Sequence, residues 1–110
     1  MLAPMNDTEF EALAGQALQR IERALEDSGI DADCELKDGG VLEVEFADAS
    51  KLIVNRHGVA REIWVAARAG AFHFRWDGAK WRDTRDQAEL FSVLSSLVSL
   101  QSGSAVILAG

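Results

Sequence analysis

The chain begins on a helical rhythm. Phe10, Leu13, Ala14, Ala17, Ile21, Ala24 and Leu25 recur at i, i+3, i+4 and i+7 spacing, which places one apolar stripe along a helix. Asn6, Asp7 and Thr8 are N-cap candidates, and Gly29 suits the left-handed residue that follows a helix. Past Gly29 the period drops from 3.6 to 2. Ile30, Ala32, Cys34 and Leu36 alternate with Asp31, Asp33, Glu35 and Lys37, predicting a strand with its acids outward and Cys34 inward. Asp38-Gly39-Gly40 reads as a tight hairpin turn, after which Leu42, Val44 and Phe46 alternate with Glu43 and Glu45.

Turns at Asp48-Ala49-Ser50 and near Gly58 set off further strands over 51–55 and 61–67. Phe72, Phe74 and Trp76 alternate with His73 and Arg75, and a turn at Asp77-Gly78 leads to a short strand around Trp81. The helical period then returns. Leu90, Phe91, Leu94, Leu97 and Val98 form a buried stripe, with Asp86 and Glu89 as its capping box and Gly103 as its stop. Residues 105–108 form an apolar tail that needs a surface to pack on.

Two helices with one apolar face each, bracketing a meander with one apolar face, predict an α+β fold. It is a two-layer α/β sandwich in which both helices pack on one face of a five- to six-stranded antiparallel sheet. At 110 residues it is a single domain. The second sheet face is left open to water. With Ile63 and Val65 inward, Trp64 points out onto that face, with Asn55, Arg56, Ala66 and His73 as expected neighbours. An indole there is a candidate interface hot spot. Trp76 and Trp81 fall on inward positions and are assigned to the core.

Charge sharpens the picture. The net charge is −7, but residues 1–50 hold 13 acidic and 3 basic side chains, and residues 51–110 hold 5 and 8. An acidic half of that size attracts cations and basic proteins and repels phosphate backbones, which argues against nucleic-acid binding. The single cysteine, Cys34, forms no internal disulfide, and a reducing, cytoplasmic compartment is expected. The first six residues carry no basic or apolar secretion signal. Residues 90–110 lack any charge over a bilayer-spanning length, yet six serines and a periodic apolar pattern argue against a membrane span.

Little in the sequence suggests catalysis. His57, read as a turn residue, and His73, on an outward strand position, are both expected to be simply solvated. No nucleophile motif, phosphate-cradling glycine loop or CxxC pair occurs. The conspicuous chemistry is carboxylate. In ERALEDSGIDADCE, residues 22–35, six acids face one arginine. On a helical wheel Glu11, Glu22 and Glu26 lie within about 60° of one another, and Asp31, Asp33 and Glu35 continue the line along the first strand. Asp27 lies near Arg20 and Arg23 and is expected to be partly neutralised by them. Such a ridge is a solvated face that protects an edge strand, a shallow oxygen-ligand site for hard cations, or a docking surface for a basic protein.

Several stretches together resemble the bacterial frataxin family, of the CyaY type. MNDTEFEALA at 5–14, the acid-loaded helix running into IDADCE, GGVLEVEF, NRHGVAREIWVA at 55–66, GAFHF at 70–74 and LQSG at 100–103 carry the likeness over nearly the whole chain. The family's central stretch runs Asn, Arg or Lys, Gln, any, Pro, any, any, Gln, Ile or Val, Trp, Leu, Ala. Here His57, Val59 and Glu62 replace the first Gln, the Pro and the second Gln, and Val65 replaces Leu, while Asn55, Arg56, Ile63, Trp64 and Ala66 are retained. Arg23 stands where related bacterial proteins carry an acid.

The resemblance implies a non-enzymatic regulator of iron–sulfur cluster assembly that binds Fe2+ and Fe3+ weakly, other divalent cations being able to substitute. It points to Glu22, Glu26, Asp31 and Asp33 as metal ligands, with Asp27 and Glu11 behind them. It also implies a cysteine desulfurase docked on the ridge through Glu22 and Glu26, and a scaffold protein met by Asn55, Arg56 and Trp64. A monomer is expected, with metal-dependent oligomers as a further state. The alternatives are an acidic adaptor with incidental metal affinity and an iron-storage oligomer.

Overall fold

The computed structural model describes residues 5–110. Its elements are α1 (Asp7–Ser28), β1 (Ala32–Lys37), β2 (Val41–Phe46), β3 (Lys51–His57), β4 (Glu62–Ala67), β5 (Gly70–Trp76), β6 (Trp81–Asp83) and α2 (Leu90–Ser102). All six strands form one antiparallel sheet in chain order, β1-β2-β3-β4-β5-β6. Both helices bury their stripes on the same face of it, as the two periodicities require.

α1 starts where the sequence offers a cap. Asn6 Oδ1 accepts the Glu9 amide at 2.8 Å, and Asn6 Nδ2 donates to Glu9 Oε1 at 2.8 Å, so cap and third residue hold each other. Gly29 ends the helix at φ 73°. α2 differs from the expected capping box. Glu89 itself is the N-cap, its carboxylate accepting the Phe91 and Ser92 amides at 2.7 and 3.2 Å. Asp86 instead accepts the Ala88 amide and shapes the turn before the helix. The reason is geometric. An Asx turn at Asp86 delays helix entry by three residues, so the carboxylate that reaches the free amides belongs to Glu89.

The core lies between the layers. Phe10, Ile21 and Leu25 of α1, Leu42 and Val44 of β2, Leu52 and Val54 of β3, Ile63 and Val65 of β4, Phe74 of β5, and Leu90, Leu94 and Val98 of α2 are all buried. Each fully buried large side chain contributes about 1.5–3 kcal/mol relative to exposure. Phe10 meets Trp81 edge-on, with ring centroids 6.1 Å apart. Leu36, expected inward, is 41% exposed. It sits on the edge strand near its turn, where only β2 flanks it.

The tail 105–108 finds its surface on α2. Val106 and Leu108 are buried. The Val106 amide donates to Ser99 Oγ at 2.8 Å and the Leu108 amide to Ser95 Oγ at 2.8 Å. Two serines four residues apart thus hold alternate amides of an extended strap. Among the described residues no helix is long and apolar enough to cross a membrane.

Candidate functional site

The acidic ridge forms where the C-terminal half of α1 lies beside β1. Asp33 and Glu35 occupy alternate, exposed positions of β1, while Cys34 between them packs against the core. Burial pushes the Cys34 thiol above its ordinary pKa, and the charges of Glu26, Glu22 and Asp33 push it further. α1 packs against β1, which sets the helix and strand portions of the predicted ridge on neighbouring elements.

What separates these acids from the rest is their lack of partners. Glu22, Glu26, Asp27, Asp31, Asp33, Glu35 and Asp38 make no ion pair or side-chain hydrogen bond among the described residues. Every other described acid is engaged. Glu43 receives Lys37 and Lys51 at 2.8 Å each, which holds its pKa down at about 2. Asp48 binds Ser50 and Arg68, Asp7 binds Arg61, and Asp77 binds two backbone amides and Arg82. The β1–β2 register sets Asp33 opposite Glu45 and Glu35 opposite Glu43, yet both nearby lysines serve the β2 acids. The strand carrying the ridge keeps its charge bare.

Two expectations for the ridge need correction. Asp27 forms no ion pair with Arg20 or Arg23, so it is not neutralised by them. An Arg placed N-terminal to Asp is the weaker order for such a pair, and both Arg20 and Arg23 extend into solvent. Glu11, in contrast, is committed elsewhere: its Oε2 accepts Arg56 Nη1 at 2.8 Å. Among the described residues no three His, Cys, Asp or Glu side chains are grouped so as to hold a metal ion. The ridge presents exposed oxygen donors without a closed cage, a donor set that suits hard cations only at shallow, weak sites.

The open sheet face holds a second constellation. Asn55 of β3 pairs in register with Trp64 of β4, which pairs with His73 of β5. The Trp64 indole is sandwiched between His57 at 3.8 Å and His73 at 4.4 Å, both rings within 11° of parallel. The histidines are therefore not simply solvated, and His57 lies in β3 rather than in a turn. Below the stack Glu62 is only 5% exposed. Its Oε1 accepts the indole N–H at 2.8 Å and its Oε2 accepts Arg75 Nε at 2.6 Å. Burial acts to raise the Glu62 pKa, but the Trp64 and Arg75 hydrogen bonds, together with the nearby positive charge, leave it lowered.

Arg56 is not a neighbour of Trp64. It pairs in register with Ile63 and so points to the helix side of the sheet, where it lies across Gly40 and reaches Glu11. Strand alternation alone puts Asn55 and Arg56 on opposite faces. Sequence reasoning placed His73 beside Trp64 but missed Glu62 and His57 as parts of the assembly. Their signal was the register, since His57, Trp64 and His73 sit on three successive strands.

A frataxin-like domain model matches residues 3–104. The iron-sulfur cluster assembly protein CyaY of Dechloromonas aromatica is 67% identical over 104 residues, covering 94% of this chain and 99% of that protein. The CyaY protein of Cupriavidus metallidurans is 49% identical over 105 residues, covering 93% and 95%. Among solved structures, frataxin from Psychromonas ingrahamii superposes with a TM-score of 0.88 at 35% identity, covering 96% of this chain and all of that one. Trimeric yeast frataxin in complex with ferrous iron shares the fold, with a TM-score of 0.65 at 20% identity over 94% and 92% of the two chains.

Proposed function

Because this chain belongs to the frataxin-like family, we propose that it is a regulator of iron–sulfur cluster assembly that handles iron as cargo on its acidic ridge. The observation that carries the reading is the run of carboxylates from Glu22 to Asp38 that have no partner among the described residues, where every other acid is engaged. Glu22, Glu26, Asp31 and Asp33 are the proposed iron ligands, with Asp27 beside them. Glu11 contributes through Arg56 to the fold instead. Such a surface binds Fe2+ or Fe3+ weakly and exchanges it readily, which suits transfer or sensing better than storage.

The same ridge is the proposed docking surface for a basic face of the cysteine desulfurase. Asn55 and Trp64 would then meet the scaffold protein from the open sheet face. The exposed carboxylates without ion pairs from Glu22 to Asp38 offer such a face complementary charge. Bare charge without a cage serves a protein partner as well as a cation.

The test is an anaerobic Fe2+ titration of 15N-labelled protein followed by NMR. Paramagnetic broadening centred on residues 22–33 is the expected result, and a ridge left sharp at millimolar Fe2+ would remove iron from the reading. Desulfurase binding should weaken steeply with salt and fail in the Glu22→Lys/Glu26→Lys variant. If that variant binds undiminished, the docking assignment is wrong.

A further inference from the structure

We infer that the molecule carries a second binding site, unconnected with the acidic ridge, for a small organic anion with a flat apolar body. The site is a half-open cavity of about 380 Å3 between α1, the β5–β6 hairpin, the start of α2 and the tail. That volume lies in the range of small-molecule sites. Trp76, Trp81 and Phe91 supply its aromatic walls, Leu108 closes one side, and Arg20 and Lys80 stand at its rim.

Charge gives the cavity its selectivity. Among the described residues, every lysine and arginine but Arg20, Arg23 and Lys80 is ion-paired. Two of those three line this one cavity, in a protein of net charge −7. The one acidic side chain in the lining, Glu89, is occupied by the Phe91 and Ser92 amides at the end of α2. It forms no ion pair with either cation. Two cationic side chains thus stand over an aromatic pocket whose one lining carboxylate is turned to the amides of α2.

A third group points the same way. Trp81 is 4% exposed, and its indole N–H has no acceptor among the described residues. Every fully buried side-chain nitrogen or oxygen among them does have a partner. The Trp81 N–H therefore retains accessible surface, on a residue that lines the cavity. Its ring stands 5.5 Å from that of Trp76 at 59°, leaving two differently inclined aromatic walls. A planar ring system stacks on such walls while its anionic group takes the guanidinium, the ammonium and the free N–H.

The test uses 8-anilinonaphthalene-1-sulfonate as the anionic probe and N-phenyl-1-naphthylamine as its neutral counterpart, with full-length 15N-labelled protein. The sulfonate should shift the indole cross-peaks of Trp76 and Trp81 and leave that of Trp64 in place. The neutral probe should bind about tenfold more weakly, as should the sulfonate to the Arg20→Glu/Lys80→Glu variant. Both substituted residues are exposed, so the variant is expected to keep the wild-type spectrum elsewhere. Equal affinity for the two probes, an unchanged affinity in the variant, or shifts confined to other surfaces would each overturn the assignment.

Discussion

Arg56 of β3 and Glu11 of α1 are joined by an ion pair of 2.8 Å that spans 45 residues of sequence. The pair takes one acid out of the ridge and one base off the open face, so it separates the two surfaces as well as bracing helix to sheet. Glu11 is exposed, which limits the energy involved. Replacing Glu11 by Gln should lower stability by about 0.2–1 kcal/mol and leave Fe2+ broadening at Glu22 and Asp33 unaltered. A urea-unfolding cycle with Arg56→Gln checks the first part and the NMR titration the second. Loss of ridge broadening in Glu11→Gln would return Glu11 to the ligand set.

Glu62 makes a prediction in pH. Its folded pKa is lowered, so its contribution is present above the unfolded carboxylate value and is lost as pH falls through the folded one. Stability should therefore decline below about pH 4.3, the ordinary glutamate value. The decline should be shallower in Glu62→Gln. Glu43, also lowered, acts with the same sign, so the quantity to read is the difference between wild type and variant. Urea midpoints between pH 3 and 6 supply it, and parallel curves for the two proteins would contradict the assignment.

The end of α1 predicts a gain. No basic residue lies in its last turn, while Glu26 and Asp27 face the negative end of the helix dipole. Changing either to Lys should stabilise the protein by about 0.3–1 kcal/mol, even as Glu26→Lys removes a proposed ligand. Thermal unfolding at low salt measures the gain. A lower melting temperature in both variants would mean that these acids support the fold through contacts not evident in the structure.

Neighbouring glycines should respond unequally. Gly39 and Gly40 both have positive φ, at 86° and 75°, but only at Gly40 would an added Cβ overlap the Arg56 side chain. Gly39→Ala should cost about 1 kcal/mol from backbone strain alone. Gly40→Ala should cost more and also disturb the Arg56–Glu11 pair. Paired unfolding curves decide this, and equal losses would show that Arg56 moves aside freely.

These relationships mark how far the sequence could be read. Leu42, Val44 and Phe46 fell where alternation put them because the helix layer covers that strand. Leu36 broke the same pattern because an edge strand is not covered along its whole length. The ridge was legible because Glu22 to Glu35 are close in sequence. The place of His57 in the stack on Trp64 was not, since the strands must first be set in register. The Glu11–Arg56 contact depends on a helix lying over a strand far away in the chain, which no local spacing encodes. Glu89 was recognised as part of a cap, but its role depended on where the preceding turn released the chain.

Ser95 and Ser99 bind the tail through its backbone amides rather than through its side chains. Recognition of this kind reads the path of a segment and is indifferent to most of its spelling. Only the inward residues, Val106 and Leu108, face a shape they must fit, whereas Ile107 between them is 91% exposed. The outward letters of the tail are therefore open to change, and a label or tether could be written there without lifting the strap from its helix.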